Sequence, residues 1–337
     1  MLESDMDFEK KAKRIKRKID GAEKVLLSLH RGPDGDSIGS SLAMKHYLES
    51  QGKEVKLISP SPFPHAYDYI PADEIEQTQF MDLDLGDFDL FIFMDSASWH
   101  MVNEDIDDDT PLPEKEKVIN IDHHGTNTEY GGINLVEKRS STAEIIYDLF
   151  KEWEYDLDSQ VAQYLLVGVV TDTGVFRYTN TTPSTLKTAA KLMEQGADLN
   201  VIVFNYSRRN KVDKLRFWGV VLENLEVDEE HQFAYSFVPY DQAKEYFDDN
   251  YPREYKSGAA SVFMAGIEDT DFGIVMVEEN KGELSGSLRS REDFDVSLIA
   301  EELDGGGHPG AAGFSLKLPY LEAAKKVIAA ARKHSRK

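Results

Sequence analysis

The sequence contains no cysteine in 337 residues, which excludes disulfide staples, thiolate nucleophiles and Cys-ligated zinc or iron–sulfur centres. Base is scarce relative to acid: 38 Lys and Arg stand against 62 Asp and Glu, a net charge of −24. A basic surface for gripping long nucleic acid is therefore disfavoured, because phosphate affinity comes from cationic groups that release counterions. A small anionic substrate in a locally cationic or metal-filled pocket is not excluded. No apolar run approaches the ~18 residues of a membrane span, and the opening MLESDMDFEK lacks a signal-peptide core. What is present, 41% hydrophobic and 30% charged residues, suffices for real cores. Length over ~150 residues per domain points to two domains. The expectation is a cytoplasmic, two-domain protein.

Seven basic residues crowd between Lys10 and Lys18, but Phe8, Ala12, Ile15 and Ile19 recur at helical spacing. The basic residues thus read as the wet side of an amphipathic helix rather than a nucleic-acid arm. From Val25 onward, short apolar runs (VLLSL, VKLIS, LFIFM, VINI) alternate with helical stretches. That pattern predicts an α/β fold with a mainly parallel sheet flanked by helices and covered on both faces. Ser141 and Glu144 form a capping-box pattern opening TAEIIYDLFKEW. Beyond about Asn200 the texture changes. KVDKLRFWGVVLENL reads as a connecting helix, and FAYSFVP, SVFMAGI, FGIVMVE and ELSGSLR read as strands. DVSLIAEEL and YLEAAKKVIAAARKH follow as helices, which together suggest a smaller α+β domain. The division expected is a catalytic domain over 1–195, linker helices over 196–224 and a second domain over 225–337.

Three of the apolar runs end in residues of a type that binds metals. VLLSL is followed by His30, LFIFM by Asp95, and VINI by Asp122, His123 and His124. In an open α/β sheet, ligands gather outside the carboxyl ends of the strands, so these groups would project into one crevice. Each alone could be a cap or turn residue; three in one domain argue otherwise. Pro33, Gly35 and Gly39 let the chain turn sharply after His30, so that Asp34 and Asp36 can converge with it. Asp172, in VGVVTDTG, adds a further acid after a buried helix. Asp and His without Cys suit ions such as Mn²⁺ or Mg²⁺ better than structural zinc. Six such groups are too many for one octahedral ion that also holds substrate, and suit two ions sharing a carboxylate. Farther on, Gly305-Gly306-Gly307-His308 offers backbone N–H groups to an anion, and Arg289 offers a guanidinium fork for phosphate. A flexible turn and a surface ion pair are the plain alternatives for these two.

His30-x-x-x-Asp34-x-Asp36, the strand-end Asp95, Asp122-His123-His124 and Thr171-Asp172-Thr173 together resemble the motifs of the DHH phosphoesterases. Gly305–His308 with the preceding Ser-x-Arg resembles their associated C-terminal domain. The likeness spans nearly the whole chain and is strongest to the nanoRNase and phosphoadenosine-phosphate phosphatase branch. It implies an active site in the cleft between the two domains. It also implies one Mn²⁺ held by His30, Asp34 and Asp95, and another by Asp36, Asp95, His123 and Asp172, with Mg²⁺ or Co²⁺ as alternatives. Asp122 would support the site from behind and His124 would lie beside the reacting phosphate. Arg289, Gly306, Gly307 and His308 would bind a second phosphate. One departure is Asp304, which stands where family members often carry the first of four glycines.

The resemblance thus implies hydrolysis of short oligoribonucleotides or 3′-phosphoadenosine 5′-phosphate by a hydroxide activated between two metals. A phosphodiesterase of linear or cyclic dinucleotides is the runner-up. A single-strand exonuclease, an exopolyphosphatase and a non-catalytic nucleotide sensor rank below it. No long nucleic acid and no membrane is expected as a partner, and a homodimer is left open.

Overall fold

The computed structural model describes residues 7–71, 73–103, 110, 112–246, 253–291 and 294–336, with backbone alone for 207, 208, 253, 254 and 308. The chain divides into two units, Met1–Arg209 and Asn210–Lys337.

In the first unit six strands form one sheet: β1 (Lys24–Ser28), β2 (Glu54–Ser59), β3 (Ile75–Gln77), β4 (Leu90–Met94), β5 (Val118–Asp122) and β6 (Ile133–Val136). All pairings are parallel, in the order β3-β2-β1-β4-β5-β6. The helices are α1 (Phe8–Asp20), α2 (Gly35–Ser50), α3 (Trp99–Val102), α4 (Thr142–Glu152), α5 (Ser159–Asp172), α6 (Pro183–Glu194) and α7 (Leu199–Val203), the last running into one π-helical turn, Phe204–Arg208. α1 has Asp7 as its N-cap and buries Ala12, Ile15 and Ile19, leaving the basic residues on the other side.

Strand periodicity sorts β4 between two cores. Leu90, Ile92 and Met94 face the helices α1, α2, α4 and α5, whereas Phe91 and Phe93 face an aromatic cluster with Phe80, Phe88, Trp99 and Tyr130. Among the described residues, long helices cover one face. The other face is closed by aromatic side chains on 3₁₀ turns, on the short α3 and at Tyr130, so both faces of the sheet are covered, as the alternating pattern implied. The edge strands β3 and β6 are too short to stand out from the sequence. The order of strands reverses at β1, whose neighbours are β2 and β4, and the crevice outside their carboxyl ends is where such sheets place ligands.

The second unit opens with α8 (Val212–Glu223). Its sheet contains β7 (Leu225–Asp228), β8 (Phe233–Val238), β9 (Phe272–Asn280), β10 (Glu283–Ser290), β11 (Gly306–His308) and β12 (Ala311–Lys317), ordered β11-β12-β10-β9-β8-β7. Only the β8–β9 pair is parallel. α11 (Ser297–Glu302) and α12 (Tyr320–His334) pack on one face, α8 and α10 (Arg253–Val262) on the other, with the short α9 (Tyr240–Ala243) after β8. SVFMAGI, read as a strand, is instead the end of α10 and a 3₁₀ turn, Met264–Gly266. The helical spacing of Tyr255, Ala259 and Ala260, all buried in the core, overrides the local β-branched character. No described helix is long and apolar enough to cross a membrane.

Close approach of α2 and α5 is what carries Asp36 and Asp172 towards one another. Gly39 on α2 sits against α5 so tightly that a Cβ there would lie 2.2 Å from the Tyr164 carbonyl oxygen. Gly39→Ala should therefore lower the urea midpoint, with a loss of about 1–3 kcal/mol from overpacking. Gly219→Ala on the open face of α8, where a Cβ meets nothing within 4 Å, should instead gain up to about 1 kcal/mol of helix propensity. Equal effects would show that the helix crossing is not tight.

Candidate metal centre

His30 follows β1, and its Nδ1–H donates to the Arg31 carbonyl at 2.9 Å. That bond fixes the tautomer, so Nε2 is left facing Asp34 Oδ1 at 3.8 Å and Asp95 Oδ2 at 3.5 Å. Asp34 is the N-cap of α2, its Oδ1 accepting from the amides of Asp36 and Ser37. Asp95 follows β4 with φ 55°, a left-handed conformation that turns its carboxylate out of the strand direction. The Asp95 amide still donates to the Ile121 carbonyl at 3.0 Å, so the strained residue is pinned.

Asp36, in the first turn of α2, is fully buried. Its two oxygens accept from the amides of Thr142 at 2.6 Å and Ala143 at 2.9 Å, the open N-terminus of α4. A helix N-terminus favours an anion, and here it holds one in place. The α4 capping box expected from Ser141 and Glu144 is half formed. Ser141 Oγ accepts from the Glu144 amide, but the Glu144 carboxylate turns to the hydroxyls of Ser140, Ser184 and Thr185. Glu144 thereby ties α4 to α6 (Pro183–Glu194), while the Thr142 and Ala143 amides go to Asp36.

His123 follows β5, and its Nδ1 points to the Arg139 carbonyl at 3.4 Å. Its Nε2 lies 3.4 Å from Asp95 Oδ1, 3.6 Å from Asp172 Oδ2 and 4.0 Å from Asp36 Oδ2. That Nε2 is buried and makes no hydrogen bond. A buried polar atom without a partner is costly and rare in a native fold. Charge-assisted hydrogen bonds are shorter, about 2.7–2.9 Å, whereas two ligands each about 2.1 Å from one cation stand about 3–4 Å apart. The spacing fits groups that share a cation.

Three sets of side chains could each hold a metal ion: His30 with Asp34 and Asp95; Asp36 with His123 and Asp172; and Asp95 with Asp122, His123 and His124. Asp95 belongs to two of them. Asp122 is engaged throughout: Oδ1 accepts from the His123 amide and from His124 Nδ1, both at 2.8 Å, and Oδ2 from Asn127 Nδ2 at 2.6 Å. His124 is only half-buried, with its Nδ1 committed to Asp122.

Electrostatics agree with a site that lacks positive charge. Burial disfavours the imidazolium of His30, yet Asp34 and Asp95 outweigh it and raise the pKa to about 11. His123 behaves alike: burial opposes the charge, and Asp95, Asp36 and Asp172 raise the pKa to about 10. Burial works against an Asp95 carboxylate too, but His123 and His30 hold it well below the usual range. Asp172 is pushed up to about 7 by burial, with His123 opposing and Asp95 and Asp34 adding to the rise. Asp122 raises the pKa of His124 through their hydrogen bond.

The structure thus brings His30, Asp34, Asp36, Asp95, Asp122, His123, His124 and Asp172 together within the first unit. The remaining expected residues lie in the second. Arg289 on β10 donates from Nε to Ser261 Oγ at 2.8 Å and from Nη1 to the Leu288 carbonyl. Gly306 and Gly307 belong to the strand β11 rather than to a loose turn, and Arg289 and His308 both pair with Ala311 across β12. The side chain of His308 lies outside what the structure describes. Asp304, at φ 57° after α11, has its carboxylate 3.7 Å from Lys326 Nζ. Sequence reasoning missed Asn127, Arg139 and Thr142. The first had a signal in its closeness to the double histidine, but the Thr142 amide meets Asp36 across 106 positions, which no local pattern reveals.

Residues 24–169 match the DHH family, N-terminal domain, and residues 232–334 the DHHA1 domain. The chain is 30% identical over 313 residues to the bifunctional oligoribonuclease and PAP phosphatase NrnA of Thermus thermophilus, covering 91% of this chain and 89% of that one. To the protein of the same name from Bacillus subtilis it is 26% identical over 326 residues, 89% and 91% of the two chains. The crystal structure of an exopolyphosphatase-related protein from Bacteroides fragilis aligns at 26% identity with a TM-score of 0.85, covering 96% of each chain. With its strand-end Asp and His cluster on a parallel sheet and a separate antiparallel-rich second unit, the chain belongs to the DHH family and is a hydrolase of phosphoester bonds.

Proposed function

We propose that the chain hydrolyses short oligoribonucleotides and 3′-phosphoadenosine 5′-phosphate in the cytoplasm, with two divalent cations, Mn²⁺ foremost, as cofactors. The observation that carries this reading is the shared carboxylate. Asp95 faces His30 at 3.5 Å and His123 at 3.4 Å, while the buried Nε2 of His123 finds no hydrogen-bond partner. On this reading His30, Asp34 and Asp95 hold one cation, and Asp36, Asp95, His123 and Asp172 the other. Bound there, the cations supply a water of lowered pKa and a clamp on the phosphoryl oxygens.

The protein's own groups orient and protonate. Carbonyl acceptors behind His30 and His123 keep both Nε2 atoms turned inward. Asp122 holds His124 by Nδ1 and favours its charged form, so Nε2–H is available to a phosphoryl or leaving oxygen. Arg289, Gly306, Gly307 and His308 are assigned a second, non-reacting phosphate. Substrates are short because each added nucleotide brings phosphate charge to a chain of net −24, partly screened beyond a Debye length of ~8 Å.

His124→Gln should retain bound cations and lower kcat by about 10²–10⁴-fold, the usual worth of a general acid; loss of metal in this variant would put His124 among the ligands. Across a panel of dinucleotide, five-mer, ~20-mer, phosphoadenosine phosphate, cyclic dinucleotide, pyrophosphate and polyphosphate, kcat/KM should be greatest at roughly two to five nucleotides. A maximum on cyclic or linear dinucleotides alone would favour the dinucleotide phosphodiesterase, and a maximum on the 20-mer an exonuclease.

A pH prediction follows from the raised histidines. Folded pKa values of about 11 and 10 for His30 and His123 exceed an unfolded value near 6.5. Their contribution to the metal-free protein is full below about pH 6.5 and is lost as pH rises through the folded values. Cations displace those protons, so the increase in thermal midpoint on adding Mg²⁺ should be larger at pH 8.5 than at pH 6. Equal increases would mean that the ions bind elsewhere.

A further inference from the structure

Just beyond Asp172 the backbone enters a conformation that ordinary residues avoid. Gly174, Val175 and Phe176 all lie in the left-handed region, with φ of 55°, 61° and 61°. For a β-branched valine this is a true outlier, and such strain persists where the surroundings over-determine it, commonly at functional sites. Here the surroundings are hydrogen bonds. The amide of Val175 donates to the Val170 carbonyl, that of Phe176 to Thr173 Oγ1, and those of Arg177 and Tyr178 both to the Thr173 carbonyl. Asn180 closes the turn, its Nδ2 donating to the carbonyls of Ser140 and Asp172 at 3.0 and 3.1 Å.

The reversal lays the Tyr178 ring on the backbone of Gly174, where a Cβ would come within 2.4 Å of Tyr178 Cζ. Only glycine fits beneath it. Tyr178 is nonetheless 50% exposed, so its side chain rests on the peptide and still offers surface to solvent. Arg177 is exposed too, and its Nε–H donates to the Gly174 carbonyl at 2.7 Å. This bond sets the plane of the guanidinium, whose terminal amino groups make no hydrogen bond or ion pair among the described residues. Tyr206 stands beside Tyr178 within electrostatic reach of both Arg177 and Asp34, so the step borders the acidic cluster. A strained turn thus presents one flat ring and one pre-oriented cation at the rim of a phosphoester-hydrolysing site, and the chemistry described above uses neither.

We infer that Arg177 and Tyr178 form a nucleotide subsite, in which the tyrosine ring stacks a nucleobase and the guanidinium holds the phosphate next to the scissile one. The inference rests on the reading of the substrates as nucleotides, and it deepens that reading by naming what separates a nucleotide from a bare phosphate chain. Stacking on a ring face accepts any base, so the subsite selects for a base without selecting which. Arg177 supplies the bidentate geometry that a lysine would not reproduce.

The test compares the Mn²⁺-loaded wild type with Tyr178→Ala, Tyr178→Phe and Arg177→Lys on a 5′-phosphorylated RNA dinucleotide, which carries a phosphate beside the scissile one, and on two analogues of it, each lacking one base. Wild type should lose about 5- to 100-fold in kcat/KM when one of the two bases is absent, the range that base–aromatic stacking supplies. Tyr178→Ala should lose a similar factor on the full dinucleotide and become indifferent to that base. Tyr178→Phe should keep the preference, and Arg177→Lys should raise KM with kcat nearly unchanged. A Tyr178→Ala variant that slows all three substrates equally, or none, overturns the subsite, as does a Tyr178→Phe variant that behaves like alanine. A wild type that cleaves the dinucleotide and both analogues at one rate overturns the subsite while the proposed function stands. A wild type that cleaves no dinucleotide overturns both.

Discussion

Concentrating carboxylates at the buried edge of a sheet is electrostatically expensive, and most of the local architecture of the first unit answers that expense. Two unit charges at 4 Å repel by roughly 4 kcal/mol at an effective dielectric of 20, and Asp36, Asp95 and Asp122 are all buried. Each is therefore supplied with donors from a different part of the chain. Asp36 has the amide end of α4, Asp122 has Asn127 and the His123 amide, and Asp95 lies between His30 and His123. The helix crossing at Gly39, the cap geometry at Ser141 and the left-handed turn at Asp95 all serve that placement. What protein donors leave unmet is the face that Nε2 of His123 shares with Asp36, Asp95 and Asp172. Divalent cations are the natural complement to that deficit.

Most of this centre was legible in the sequence because strand ends and site residues coincide. An apolar run four or five residues long followed by His or Asp is a local signal, and in a parallel sheet all such signals point to one edge. The same logic recovered β1, β2, β4 and β5, and the amphipathic α1. It lost β3 and β6, whose three and four residues carry too little pattern, and it mistook the end of α10 for a strand. Pattern alone did not reveal that aromatic side chains, Phe80, Phe91, Phe93 and Trp99, rather than long helices close one of the two covered faces. Non-local support was invisible: nothing near Asp36 announces that the amides of Thr142 and Ala143 will receive it. Nor does the run Gly174-Val175-Phe176 announce a left-handed turn, because a valine there argues locally for extended backbone.

The second unit is built on different local rules. Its glycine-rich segment is ordered as the edge strand β11, in register with Ala311 and Arg289 across two ladders. Close pairing explains the glycines: at Gly307, φ is 147° and a Cβ would meet the Ala312 backbone at 2.5 Å. Asp304, the departure from the family pattern, has Lys326 as a neighbour.

The shared carboxylate is the claim on which the account turns, and metal stoichiometry addresses it most directly. Native mass spectrometry of the metal-free chain titrated with Mn²⁺ should show two ions bound per wild-type chain. Asp95→Asn, which weakens a ligand common to both sets, should bind neither at the concentration that saturates wild type. Retention of one tightly bound ion by Asp95→Asn, or a wild type that takes up only one, would contradict a centre built on a shared Asp95.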